Sequence, residues 1–282
     1  MYHSGLVLRK YAGVDLMQYT SRMNDAEKVL GVVRETRAIS LPKWGNIEAT
    51  SKSDLASDLV TEIDTRIEEY LKEKLAALYP DIAFVGEETG GGRESETFWL
   101  CDPIDGTVHY VRGTALCTTM LCLIEKGEVV FSCIYHFVTD DMYHAVRGGG
   151  AFKNGKPISV SARPLKGAYI GYERNAEPDG AWDFRRPIME KNCATVHTIN
   201  CGWEFSMVAE GKLDARVQYN PWGDIYDFAP GSLLVSEAGG IVRNIGSDSY
   251  DYKNLSFIAA NPVIYEELKE IITENRGADV SK

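Results

Sequence analysis

Asp102-Pro103-Ile104-Asp105-Gly106-Thr107 is where the residue types of this 282-residue chain point most directly to chemistry. Two carboxylates stand three residues apart across a Pro-Ile step, followed by a glycine and a hydroxyl. The preceding Phe98-Trp99-Leu100-Cys101 reads as the apolar end of a strand. Pro103 has no backbone donor, so the strand is expected to stop there and the chain to turn. Such a turn can aim Asp102 and Asp105 at one point, with the Ile104 carbonyl between them. Hard oxygens of this kind suit Mg²⁺ or Mn²⁺ and not a soft metal. Gly106 and Thr107 can then open a turn or helix whose free N–H groups face an anion. A cation site beside an anion site is what metal-assisted phosphate chemistry requires. The same letters also suit an ordinary turn with an aspartate helix cap.

Other carboxylates stand at the ends of expected elements. Ile82 to Val85 reads as a short strand running into Gly86-Glu87-Glu88-Thr89, whose acids are either solvated loop charges or ligands. A helix is expected from Leu59 to Leu78, with Ile63, Ile67, Leu71, Leu75 and Leu78 on one stripe. Asp64 lies one step off that stripe, where it either compensates the helix dipole or serves the site. Asp227 fits the N-cap of a helix ending at Gly239-Gly240, with Pro230 in its first turn. Between these lies an expected hairpin, Leu116 to Glu125 and Glu128 to Tyr135 around Lys126-Gly127. A further helix is expected from Asn24, with Pro42 as its limit, and a mobile polar loop from Asn46 to Ser57 holds Lys52. After Pro164, strands at Gly167–Tyr172, Thr195–Ile199, Leu213–Tyr219, Ile241–Val242 and Leu255–Ala260 alternate with helices at Trp182–Asn192, Trp203–Glu210 and Pro262–Glu274. The reading is an α/β protein with an α+β lobe at 1–162 and an α/β lobe at 163–282. The first carries most candidate ligands; the second carries Asp227 and a substrate wall.

Composition bounds the partners. Lys and Arg total 30 against 41 Asp and Glu, a net −11 that argues against sequence-independent nucleic-acid binding. A small phosphorylated ligand remains compatible, because divalent ions reverse the local field. No apolar run approaches the roughly 18–20 residues of a membrane span, and residues 1–19 lack a signal-peptide core. The six cysteines contain no Cys-x-x-Cys pair and read as buried thiols of a reducing cytoplasm.

Gly-Glu-Glu-Thr (86–89), Asp-Pro-Ile-Asp-Gly-Thr (102–107) and Asp-x-Ala-(x)₇-Glu-Ala-Gly-Gly (227–240) resemble, in order, the signatures of the inositol monophosphatase family. Asp58 to Asp64 resembles its Asp-Leu-Val-Thr-x-x-Asp element. These are Mg²⁺-dependent, typically lithium-sensitive phosphatases allied to fructose-1,6-bisphosphatase. The resemblance implies a layered αβαβα sandwich of the sugar-phosphatase type, a homodimer, and a phosphomonoesterase with inositol monophosphate as default substrate. It implies that Glu87, Asp102 and the Ile104 carbonyl hold a first ion, and that Asp102, Asp105 and Asp227 hold a second. A third, looser ion near Glu87 would accompany substrate. Asp64 and Thr107 would orient and deprotonate the attacking water, and the Gly106 and Thr107 N–H groups would cradle phosphate. Cys201, Gly202 and Gln218, with Asp105 and Asp227, would border the substrate. This chain departs from the family where Asp-Gly-Thr continues as Val108-His109-Tyr110, and where Asn200-Cys201-Gly202-Trp203 replaces a Gly-Ser-Ala-Ala-type run. Gln218 stands where inositol-specific members often carry glutamate, and Lys52 is one residue further from Asp58 than usual. Fructose 1,6-bisphosphate, histidinol phosphate and 3′-phosphoadenosine 5′-phosphate are rival substrates. A non-catalytic metal- or phosphate-binding regulatory module is the rival of a different class.

Overall fold

The computed structural model describes residues 16–53, 58–174 and 185–275. Its helices are α1 (Leu16–Glu35), α2 (Arg37–Ser40), α3 (Glu62–Leu78), α4 (Thr107–Arg112), α5 (Arg185–Glu190), α6 (Cys201–Ala209), α7 (Ile225–Glu237) and α8 (Tyr265–Asn275). A small hairpin pairs β1 (Thr50–Ser51) with β2 (Leu59–Val60). Strands β3 (Ala83–Gly86), β4 (Thr97–Asp105), β5 (Thr118–Glu125), β6 (Glu128–His136), β7 (Asp141–Val146), β8 (Gly150–Lys153) and β9 (Lys156–Ile158) form a seven-stranded sheet in sequence order. Only its β3–β4 pair is parallel. Strands β10 (Tyr169–Arg174), β11 (Ala194–Val196), β12 (Ala215–Tyr219), β13 (Ile241–Asn244) and β14 (Phe257–Ala260) form a five-stranded sheet ordered β11-β10-β12-β14-β13.

The layering follows from which faces are apolar. Along β5, Met120, Cys122 and Ile124 fall on one face and Leu121 on the other, and all four are buried. The large sheet must therefore be covered twice. On one side α1 and α3 bring Val29, Val33, Ile63, Ile67 and Leu71 onto Trp99, Leu121 and Tyr135. On the other, Phe205 of α6 and Phe228 and Leu234 of α7 pack between Leu100, Met120 and Ile134 of the large sheet and Phe257 of the small one. The outer face of the small sheet meets Ile188 of α5 and Leu268 and Ile272 of α8. The sandwich is α–β–α–β–α, with α6 and α7 as the shared middle layer.

Several elements differ from the sequence-based expectation. Helix α1 begins at Leu16 and not Asn24, because neither Pro nor Gly interrupts residues 16–23 and the helix propagates through Asn24. Leu59-Val60 is a strand, so α3 starts later, at Glu62, where Thr61 and Asp64 form a capping box. The expected loop at 46–57 contains β1, and Lys52 N–H donates to Asp58 O at 2.9 Å; residues 54–57 lie outside the described residues. A short arm is also expected at residues 1–20: residues 16–20 belong to α1, while 1–15 and the Trp182 end of the helix seen as α5 lie outside the described residues. No described helix is long and apolar enough to cross a membrane.

His136, at the end of β6, is buried with Nε2 2.9 Å from Ser206 Oγ of α6. Burial holds its imidazole down from 6.5 to about 4, although Asp141 and Glu210 oppose this and Lys153 and Lys212 assist. The unfolded chain takes up that proton near 6.5, so this residue's contribution to stability falls as the pH drops through the interval down to about 4. The loss approaches about 3 kcal/mol at 1.36 kcal/mol per pKa unit. A His136→Gln variant lacks this dependence. The stability gap between wild type and variant, measured by denaturant titration at stepped pH, should move toward the variant on acidification. A gap constant from pH 7 to 4 would contradict the buried neutral imidazole.

Candidate active site

In a regular strand, residues three apart point to opposite faces. Asp102 and Asp105 escape that rule because β4 is irregular. Asp102 pairs with Met120 and Asp105 with Thr118, so β4 carries one residue more than β5 across this step. The strand therefore does not stop at Pro103. It continues to Asp105, and the bulge accommodates a residue with no donor for the ladder. Gly106 follows at φ +82, where an added Cβ would stand 2.6 Å from Leu116 O and 2.7 Å from Asn200 Nδ2. Thr107 then opens α4.

Asp105 is held from the far side of the molecule. The Cys201 N–H reaches Oδ1 at 3.1 Å, the Gly202 N–H reaches Oδ2 at 2.6 Å, and Thr118 Oγ1 donates to Oδ2 at 3.0 Å. These are the first amides of α6, which would otherwise lack partners. Asn200 caps the helix by accepting from Trp203 N–H, and its own Nδ2 donates to Asp105 O at 2.7 Å. The preceding Ile199 has φ +55, a costly conformation for a β-branched residue, and is half-exposed beside the cleft. A Cβ at Gly202 would come within 2.3 Å of Thr118 Oγ1 and 3.0 Å of Asp105 Oδ2. Gly202→Ala gains about 1 kcal/mol of helix propensity but overpacks the site at about 1–3 kcal/mol. We expect a lower melting temperature and a fall in activity larger than the melting change explains; parallel melting and phosphate-release assays check this.

The Gly86-Glu87-Glu88-Thr89 turn is anchored by Glu68, which is fully buried on α3 and accepts the Glu88 N–H at 2.9 Å, the Thr89 N–H at 2.8 Å and the Thr89 hydroxyl. Gly86 permits this approach, since a Cβ there would fall 2.0 Å from Glu68 Cδ. Lys52 Nζ pairs with Glu87 Oε1 at 2.6 Å and with Glu88 Oε1 at 2.7 Å. Burial lowers the Lys52 ammonium's pKa, but the two carboxylates outweigh it and hold the pKa above its usual value. Asp227 is not the N-cap of α7. Asp224 takes that position with extended φ and ψ, and Asp227, three residues on, accepts the Asp224 N–H at 2.7 Å. Pro230 consequently lies in the second turn of α7. Asp64 is buried, with Oδ2 accepting the Thr61 N–H at 2.8 Å and the Thr61 hydroxyl at 2.6 Å. Thr107 Oγ1 stands 3.4 Å from Asp64 Oδ1 and 2.9 Å from Ile104 O.

Electrostatics tie these groups into one cluster. Burial raises the pKa of Asp64 and of Asp105 to about 7; for Asp105 the Gly202 and Cys201 amides, Thr118 and Arg216 oppose the rise. Asp102 is raised by burial and then by Glu87, Asp105 and Asp227; Asp227 by burial, Glu87 and Asp105; Glu87 by burial against Lys52. Carboxylates that raise one another in this way need a cation to remain ionised together. Asp102 Oδ1 is buried with no hydrogen-bond partner among the described residues. A buried, orphaned oxygen on a carboxylate that its acidic neighbours repel fits a hard divalent cation.

Three expected wall residues are corrected. Gln218 is fully buried; its Oε1 accepts from Arg216 Nε at 3.0 Å and its Nε2 donates to Leu255 O at 3.0 Å, so it braces an arginine and is not available to a substrate. Cys201 and Gly202 present their N–H groups to Asp105 and not to phosphate, because α6 points its N-terminus at that carboxylate. Glu68, Thr118, Asn200 and the buried Arg216, paired with Glu173 and Glu204, were missed by sequence reasoning. Glu68 alone left a signal: with Asp64, four residues before it, it is one of two acids among the buried residues of α3.

A profile described as Inositol monophosphatase family matches residues 19–278. An inositol monophosphatase of Dictyostelium discoideum is 30% identical over 88% of this chain and 94% of its own length. A fructose-1,6-bisphosphatase/inositol-1-monophosphatase of Thermotoga maritima is 27% identical over 86% and 93%. A solved IMPase/NADP phosphatase, complexed with Mg²⁺ and phosphate, superposes with a TM-score of 0.76 at 23% identity, covering 93% of this chain and 98% of that one.

Proposed function

The chain belongs to the inositol monophosphatase family and is a phosphoric monoester hydrolase, and from that premise we propose that it is Mg²⁺-dependent and acts on inositol monophosphate by direct attack of water. The observation that carries the metal is the orphaned Asp102 Oδ1 within the carboxylate cluster. In this reading Glu87, Asp102 and the Ile104 carbonyl hold one ion, Asp102, Asp105 and Asp227 a second, and a third attends Glu87; Mn²⁺ is an admissible substitute. When bound, Mg²⁺ supplies Lewis-acid polarisation of the phosphate and neutralises charge on the leaving oxygen.

The chain's own groups do the rest. Thr107 Oγ1, between Asp64 Oδ1 and Ile104 O, orients the water, and the proton it loses passes to Asp64. A carboxyl raised to about 7 by burial is matched to accept that proton near neutral pH. The Gly106 and Thr107 amides at the start of α4 face the phosphate oxygens. No covalent phosphoenzyme forms, because each carboxylate is taken by a ligand, capping or base role. Phosphate release from inositol phosphates, fructose 1,6-bisphosphate, histidinol phosphate and 3′-phosphoadenosine 5′-phosphate, each with Mg²⁺ or with chelator, tests the reading. Inositol monophosphate should be turned over fastest, and chelation should abolish release. Turnover that persists in chelator would refute the metal role.

A further inference from the structure

Cys201 lends the hydrolysis only its main-chain N–H, yet its thiol lies in the cluster. Cys201 Sγ, a carboxylate oxygen of Asp105 and one of Asp227 all lie within 4.8 Å of one another. The sulfur is fixed in place, 3.3 Å from Arg216 Nη2 and 3.8 Å from Glu173 Oε2, and the residue is buried. Nearby, Asp102 Oδ1 is buried and unpartnered among the described residues, and Asp105 and Asp227 are among the charges that act on its carboxylate.

We propose that Asp105, Cys201 and Asp227 form a mixed oxygen–sulfur site that takes a borderline cation of the Zn²⁺ class in competition with Mg²⁺. The proposal rests on the reading that Asp105 and Asp227 hold a cation, and adds a sulfur ligand to it. Bond lengths of about 2.3 Å to sulfur and about 2.0–2.2 Å to carboxylate oxygen place tetrahedral donors of one ion about 3.4–3.6 Å apart. Side-chain rotations that draw the three donors together therefore close the set. Burial, with Glu173, Asp105 and Asp227, keeps the metal-free thiol protonated against the pull of Arg216; on coordination the S–H proton passes to solvent and the thiolate lone pair forms the metal–sulfur bond. Mg²⁺ prefers oxygen and leaves the thiol protonated, so the two cations use the same carboxylates but only one uses Cys201.

The test uses the full chain freed of metal and titrated with Co²⁺ as a spectroscopic stand-in for Zn²⁺. Wild type should develop a near-ultraviolet sulfur-to-cobalt charge-transfer band that Zn²⁺ bleaches. Cys201→Ser and Cys201→Ala should lack it, and their Zn²⁺ affinity, measured by competition, should fall about 10-fold or more. Their Mg²⁺ affinity by calorimetry should change far less. The other cysteines are buried elsewhere, so a band persisting in both variants overturns the assignment. Co²⁺ bound to wild type without a band overturns it as well. If hydrolysis remains Mg²⁺-dependent in that case, only the sulfur ligand falls; if neither Mg²⁺ nor Co²⁺ binds, the metal reading falls with it.

Discussion

Replacing Asp105 with Asn is expected to cut phosphate release by about 10³-fold, the equivalent of about 4 kcal/mol of transition-state stabilisation. The side chain has two duties that an amide cannot combine. In the proposed metal site it carries charge toward a cation, and both its oxygens accept: Oδ1 from Cys201, Oδ2 from Gly202 and Thr118. Asn offers one acceptor and must turn its NH₂ toward a donor, so α6 either shifts or leaves an amide unpaired. Removing a buried carboxylate from a mutually repelling cluster offsets part of that penalty in the metal-free protein. The melting temperature in chelator should therefore change little, while the Mg²⁺ stabilisation expected of wild type is lost. Mg²⁺-dependent melting and phosphate release measured together separate these effects. Full activity in Asp105→Asn would contradict the ligand assignment.

Asp64→Asn should lower kcat by about 10²- to 10⁴-fold, the usual worth of a positioned general base, with Mg²⁺ affinity nearly unchanged. The amide oxygen can still accept from the Thr61 N–H and hydroxyl, so the start of α3 survives. What changes is the edge facing Thr107 Oγ1, where an acceptor becomes a donor that cannot take a proton. Thr107→Ala should resemble it, and the double variant should lose little more than either single one, because the two act on one proton. Steady-state kinetics with a Mg²⁺ titration check this. Additive losses, or a Mg²⁺ requirement displaced as far as the rate, would place Asp64 among the metal ligands instead.

The buried surroundings of the site show why the site was readable in part. Arg216 sits fully buried between Glu173 and Glu204, stacked 5.0 Å over the Phe205 ring, and contacts the Cys201 sulfur. Its positive charge lowers the pKa of Asp105 from behind. In the sequence Arg216 is only a polar residue in an expected strand, because its partners come from β10 and α6. Gln218 misled for the same reason: alternation along β12 assigns it a face, but the Leu255 carbonyl and Arg216 decide that this face is closed.

By itself the sequence determined the alternation of elements, the α3 stripe and the acids at element ends, because periodicity and turn chemistry act within a few residues. Motif order also carried the family. Only the tertiary structure decided that Pro103 lies within a bulged strand that swings Asp102 and Asp105 to one side. It alone brought α6, 96 positions beyond Asp105, to hold that carboxylate by its first amides. It also set Asp224 rather than Asp227 as the cap of α7, and placed a thiol among the acids. Local pattern states which face of an element is apolar or charged. Which distant backbone group will meet that face depends on how layers pack, and packing is a property of the whole chain.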